Sequence, residues 1–382
     1  MILDFRFFSD LKLCFKGAKL QRFKAAEKKT LQHYLYVKFH LIFGNSSQRN
    51  LLTKSQSPTV LNLERFLYDS PELNNNPMKK IIILFFTILT FHHVQAQEVK
   101  TMTYFQNDTI KLDLDLYLPQ KKTNEKTPLI LFAFGGGFSG GERTSEKDFG
   151  MFMAKNGYAV ASISYSLYMK EKDFGCKGTL TEKIKAIQIG VSDMSQATSF
   201  LIQHANHYNL DTSKFFVSGI SAGAEIGFHA SFWDYKLMNL YAGNLPENFK
   251  YSGFIGGSGA IMDINLITKE KAIPMLLAHG NNDTTVPYSA GSHRSCPTNA
   301  SGWLILFGSF AVYNQMNDLH KDIELITFCG GGHEYSGYLF HDGKQYVLDF
   351  VNDVLKKKNF TSHIIIPSKM KEASSGKYLF CK

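Results

Sequence analysis

Short apolar runs alternate with helix-length amphipathic segments through most of this chain, and that alternation limits the folds open to it. Pro128–Phe134 (PLILFAF), Tyr158–Tyr165 (YAVASISY), Lys214–Gly219, Tyr251–Ile255, Ile273–His279 and Ile323–Phe328 are each largely apolar and too short for a buried helix. Such runs read as strands buried on both faces, the hallmark of parallel sheets. Helices are expected at Glu146–Asn156, Glu182–Tyr208, Ala222–Trp233, Trp303–Leu319 and Lys344–Lys358. In the second of these Ile184, Ile187, Val191, Met194, Ala197 and Leu201 form one apolar stripe. Leu112, Leu114, Leu116 and Leu118 alternate with polar residues, so Lys111–Pro119 is expected as a half-buried antiparallel edge strand. His363–Pro367 fits one more edge strand. The pattern predicts an α/β fold, a mostly parallel central sheet with helices on both faces, in which ligands sit beyond the C-terminal ends of the strands.

The 382 residues carry a formal charge of +9, which by itself would suggest an anionic partner. The excess is local. Residues 1–96 hold 14 Lys and Arg against 6 Asp and Glu, which leaves 28 against 27 for residues 97–382. The balanced part offers no electrostatic case for nucleic acid. Residues 78–96 (MKKIIILFFTILTFHHVQA) have a charged start, a short apolar run and small residues before Gln97, as a cleaved signal peptide does. A signal works only at a chain start, so residues 1–77 are expected to be an upstream extension from a start codon placed too early. An uncleaved anchor behind a basic tail is the alternative. The expectation is a single domain over 97–382, secreted or periplasmic, without a stable membrane anchor. Its four cysteines are Cys176, Cys296, Cys329 and Cys381, while Cys14 lies in the leader. Cys176 and Cys296 both fall in expected loops, which favours that pair; four unpaired thiols are the alternative.

Three strand ends carry residues with matching chemistry. Gly219-Ile220-Ser221-Ala222-Gly223 is a G-x-S-x-G turn between an apolar strand and an apolar helix. Glycine is needed on both sides because a Cβ there would strike the neighbouring strand or helix. A strand-to-helix turn with a capping serine would look similar. Asp283 follows the strand ending at His279, and His333 follows the strand ending at Phe328 on a glycine loop. Ser, then Asp, then His, each after a later strand, is the order required of a nucleophile, an orienting acid and a base. Phe134-Gly135-Gly136-Gly137-Phe138 follows an earlier strand. Its expected part, with Ala222, is to present the N–H groups of Gly136, Gly137 and Ala222 to an oxyanion. It lacks the lysine and the spacing of a phosphate cradle. His279 is read as strand-end packing rather than as a zinc ligand, and neither a metal nor a cofactor is implied.

With these motifs together, the chain resembles the α/β-hydrolase superfamily in its carboxylesterase and lipase branches. FGGGF and GISAG resemble the esterase oxyanion loop and nucleophile elbow; HGNNDTTVP resembles the acid loop shared with prolyl-oligopeptidase-like hydrolases, and GGGHEY the histidine loop. The similarity covers about residues 98–358. Many relatives begin the oxyanion loop with His where this chain has Phe134. The resemblance implies a serine hydrolase acting on carboxylic esters. The irregular polar segments 166–182 and 284–302 suit a small or sugar-borne acyl ester better than a long-chain lipid. A peptidase of the prolyl-oligopeptidase type shares the triad but normally carries a large gating domain, for which residues 97–127 are too short. A binding protein on the same scaffold is the third reading.

Overall fold

The computed structural model describes residues 99–120, 125–234, 245–369 and 377–382, all within one compact unit spanning 95–382. The expected extension 1–77 with its Cys14, and the signal segment 78–96, lie outside the described residues. In chain order the elements are β1 (Val99–Gln106), β2 (Lys111–Tyr117), β3 (Thr127–Ala133), α1 (Lys147–Lys155), β4 (Ala159–Ile163), α2 (Leu180–Gln203), β5 (Leu210–Ile220) and α3 (Ala222–Phe232). They continue with β6 (Gly253–Gly257), β7 (Ala260–Ile261), β8 (Met275–Gly280), β9 (Ala290–Ser292), β10 (Ile305–Gly308), α4 (Ser309–Asp318), β11 (Ile323–Cys329), α5 (Lys344–Leu355) and β12 (Thr361–Pro367). Nine strands form one sheet in the order β1-β2-β4-β3-β5-β6-β8-β11-β12. The β1–β2 and β2–β4 pairs are antiparallel and every later pair is parallel.

Successive residues of a strand point to opposite faces, and β6 shows what covers each. Phe254 packs on Phe228 of α3, with ring centroids 4.3 Å apart. A Cβ placed on its neighbour Gly253 would come 3.2 Å from Phe350 of α5. Helices α3 and α5 therefore cover opposite faces. Helix α2 packs beside α3, and α1 beside α5. Central strands are buried on both sides as the apolar runs require: Leu129 to Ala133 of β3 and Phe215 to Ser218 of β5 have no solvent exposure. The expected α/β architecture is borne out.

Three expectations need correction. β2 is antiparallel but not an edge, because β1 covers it; β1 carries the free edge and breaks register between Thr103 and Phe105, a device that discourages edge pairing. The expected helix Trp303–Leu319 begins only at Ser309, since Ile305–Gly308 pairs with β7 and β9 in a small second sheet. A short apolar run cannot be told from a buried helix turn by periodicity alone. Helix α2 stops at Gln203 rather than Tyr208: the His204 ring binds the Phe200 carbonyl at 2.8 Å, and Asn209 turns the chain with φ 54°. The other expected strands lie within a few residues of expectation, including β12 at the far edge, while β1, β7 and β9 had not been expected. Cys176 is bonded to Cys296, the favoured pair, and Cys329 to Cys381. Among the described residues, no helix is long and apolar enough to cross a membrane.

Candidate active site

Strands β3, β5, β6, β8 and β11 are mutually parallel neighbours, so their C-terminal ends share one rim of the sheet. Ser221 immediately follows β5 and starts α3 with φ 52° and ψ −120°. That left-handed backbone costs a β-carbon residue about 1–3 kcal/mol and persists only where neighbours enforce it. The neighbours do so here. A Cβ on Gly219 would lie 2.3 Å from the backbone of Gly223, and one on Gly223 would lie 2.1 Å from the carbonyl oxygen of Ala133 in β3. The two flanking glycines let strand, turn and helix close to backbone contact.

Asp283 stands three residues past β8 and His333 four past β11. The two loops are laced together: Asn282 N–H donates to Gly331 O at 2.9 Å, and Gly330 N–H to Asn281 Oδ1 at 2.7 Å. His333 Nε2 lies 2.9 Å from Ser221 Oγ, and its Nδ1 lies 2.7 Å from Asp283 Oδ2. A ring nitrogen facing a carboxylate carries the hydrogen, so Nδ1 donates to Asp283 and Nε2 is left to accept the Ser221 hydroxyl. The three residues that the sequence set at separate strand ends are thus in one hydrogen-bonded line.

The side chain of Asp283 has no solvent exposure, and all its acceptor capacity is used. Oδ1 accepts the Thr285 N–H at 2.7 Å and the Val286 N–H at 3.0 Å. Oδ2 is shared by His333 and, at 3.2 Å, by Nε2 of His279. Burial alone would push this carboxyl up. The hydrogen bonds from His279 and His333, with the attraction of their charge when protonated, outweigh it and hold Asp283 well below the usual carboxylate range. His279 therefore does more than pack at a strand end. Its Nε2 faces two acceptors, Asp283 and the Val286 carbonyl, while Nδ1 meets Ser309 Oγ at 2.9 Å.

The glycine loop after β3 joins the same rim. A Cβ on Gly135 would come 3.4 Å from Ser221 Cβ. Gly136 and Gly137 have φ of 131° and 61°, conformations glycine tolerates best. With Ala222, at the open N–H end of α3, they line a cavity of about 800 Å³ that also contains Ser221 and His333. Phe134, which opens the loop, is buried; it stacks on Tyr165 at 4.4 Å, and the Tyr165 hydroxyl donates to the Phe134 carbonyl at 2.9 Å. The start of the loop is thus held by packing.

Among the cavity residues absent from the sequence reading are Glu225 and His293. Glu225 follows Ser221 by one helical turn, and its carboxylate Oε1 lies 2.5 Å from His293 Nε2. A lone acid inside the apolar helix AGAEIGFHASF was a signal for Glu225; His293, 68 residues away, gave none.

The sequence profile of the family described as BD-FAE matches residues 114–234, a span that includes Ser221 but neither Asp283 nor His333. Among curated proteins, a "Probable isoprenylcysteine alpha-carbonyl methylesterase" of Oryza sativa subsp. japonica is 22% identical over 242 residues, covering 52% of this chain and 53% of that protein. A relative with the same description from Arabidopsis thaliana is 29% identical over 113 residues, 30% of this chain and 21% of its own length. The chain thus spans about half or less of the curated relatives it matches. Among solved structures, esterase 2 of Thermogutta terrifontis is 19% identical, with 69% of this chain and 91% of that chain covered and a TM-score of 0.47. The family match and the curated relatives agree with the resemblance to α/β-hydrolase carboxylesterases.

Proposed function

We propose that this chain is a serine hydrolase that cleaves carboxylic esters through an acyl-enzyme. The observation that carries the reading is the line Ser221 Oγ, His333 and Asp283, with separations of 2.9 and 2.7 Å. Ser221 Oγ attacks the ester carbonyl while His333 Nε2 takes its proton; the same nitrogen then returns that proton to the leaving alcohol. Asp283 holds the imidazole tautomer and stabilises the imidazolium. The N–H groups of Gly136, Gly137 and Ala222 receive the oxyanion, and one such donor is worth about 10²–10³ in kcat. Water activated by His333 then releases the acid. These residues accomplish the steps without a cofactor.

The proposed substrates are short-chain or carbohydrate-linked acyl esters. Support comes from a cavity wall that includes Lys172, Asp173, Glu225, His293 and Arg294, a poor surface for a long hydrocarbon. The curated relatives' names point instead to a methyl ester on an isoprenylated cysteine, so that substrate belongs in the test. We also propose export with cleavage before Gln97, supported by the signal-like segment 78–96 and by two disulfides, which persist in oxidising compartments.

The test compares the protein beginning at Gln97 with its Ser221→Ala variant on p-nitrophenyl acetate, butyrate and octanoate, an isoprenylcysteine methyl ester and a proline-type peptide anilide. Ester turnover that falls with chain length and drops by about 10⁴-fold or more in the variant is expected. Equal cleavage of the anilide would make the protein a peptidase. Ester turnover that survives in Ser221→Ala would remove Ser221 as nucleophile.

A further inference from the structure

Glu225 and His293 are 1% and 2% exposed, yet both belong to the wall of the cavity that contains Ser221. His293 Nε2 faces the carboxylate at 2.5 Å and so carries the hydrogen of that bond. Two polar atoms remain: Glu225 Oε2 and His293 Nδ1 are both buried and without a hydrogen-bond partner. Buried polar atoms in native proteins are paired with few exceptions, because each orphan forfeits the water it had when unfolded.

We propose that Glu225 and His293 form a recognition subsite for a hydroxyl group carried by the ester substrate. This rests on reading Ser221 as an esterase nucleophile. A hydroxyl both donates and accepts, so it can donate to Glu225 Oε2 while accepting from the Nδ1–H of a protonated His293 ring, or donate to the Nδ1 of a neutral one. Charged groups fit less well. A cation here would meet Arg294 and Lys172 on the same wall, with Lys183 buried behind Phe174, its Nζ 5.5 Å from that ring. An anion would meet Glu225 and Asp173. The wall is also fixed in place, as selective recognition requires. Arg294 N–H donates to Thr285 O at 2.9 Å, the Phe174 ring lies 4.9 Å from His293, and the Cys176–Cys296 bond ties the two wall segments together.

The experiment measures kcat/KM on matched esters that differ in hydroxyl content: glycerol monoacetate against propyl acetate for the alcohol side, and ethyl glycolate against ethyl acetate for the acyl side. In at least one pair the wild-type protein is expected to favour the hydroxylated ester by about tenfold or more. Glu225→Gln keeps a carbonyl oxygen for His293 but puts a donor where Oε2 stood, so the preference should collapse towards one. If Glu225→Gln does not fold, as judged by circular dichroism, His293→Gln makes the same test. No preference in either pair, or one unchanged in the variant, overturns the subsite. If the wild-type protein turns over no ester, the esterase reading has failed separately. Calorimetric titration with methyl 6-O-acetyl-glucopyranoside then decides: binding lost in Glu225→Gln sustains the subsite, and binding that is absent or equal in both proteins ends it.

Discussion

Asp283 and Glu225 each pair with a histidine, and each lies buried beside the same cavity, yet their surroundings differ in one respect. Every acceptor position of Asp283 is taken, by two backbone N–H groups and two imidazoles. Glu225 uses one oxygen, and His293 one nitrogen, leaving an open atom on each. A saturated carboxylate has no capacity left for a ligand and can only hold its histidine in place. An unsaturated pair keeps hydrogen-bonding capacity for something that arrives. Under the proposed function, the first pair orients a base and the second receives a substrate, and hydrogen-bond saturation separates the two roles.

The strongest way to break this contrast is Asp283→Asn. The amide oxygen could still accept from Thr285 and Val286, but its NH₂ would face two ring nitrogens that now donate. His333 would be driven to the wrong tautomer, and kcat on p-nitrophenyl acetate should fall by about 10⁴-fold with the fold retained. A loss below tenfold would rule out the proposed orienting role of Asp283.

A third buried carboxylate sharpens the comparison. Asp193 accepts the Ser166 N–H at 2.7 Å, but burial outweighs this and pushes its carboxyl up to about 6. The native state then holds a proton that the unfolded chain releases near 3.8, so stability should fall as pH rises from about 4 to 6 and level off above. The change attributable to this group is roughly 3 kcal/mol. Urea unfolding of wild type and Asp193→Asn between pH 4 and 7 should show that slope only in the wild type. Parallel profiles would mean that Asp193 titrates normally.

The smallest effect is expected at His279. Replacing it with Gln weakens one of the bonds to Asp283 without touching Ser221 or His333. Removing a hydrogen bond to a charged group costs about 1.5 kcal/mol, or about tenfold. The loss should appear in kcat with KM little changed. A shift confined to KM would place His279 in substrate binding instead.

Much of this is legible in the sequence. Ser221, Asp283 and His333 could be found because each follows an apolar run, and because turn residues surround each one. Strand-end placement is a local property of contiguous residues. Gly219 and Gly223 are legible for the same reason: the turn itself demands their small size. The strand β10 was misread as helix because four apolar residues have no readable period. The edge at β2 was misplaced because nothing local shows that β1 pairs outside it.

The sequence by itself determined the alternation of the central strands with helices and the residue types at three strand ends. These follow from periodicity and turn chemistry, which act over a few neighbouring residues. Only the tertiary structure decided that His279 shares Asp283 with His333, that Cys329 bonds Cys381 across 52 residues, and that Glu225 meets His293 across 68. Those pairings depend on how loops dock after the sheet has formed, and no pattern within a single segment encodes that docking.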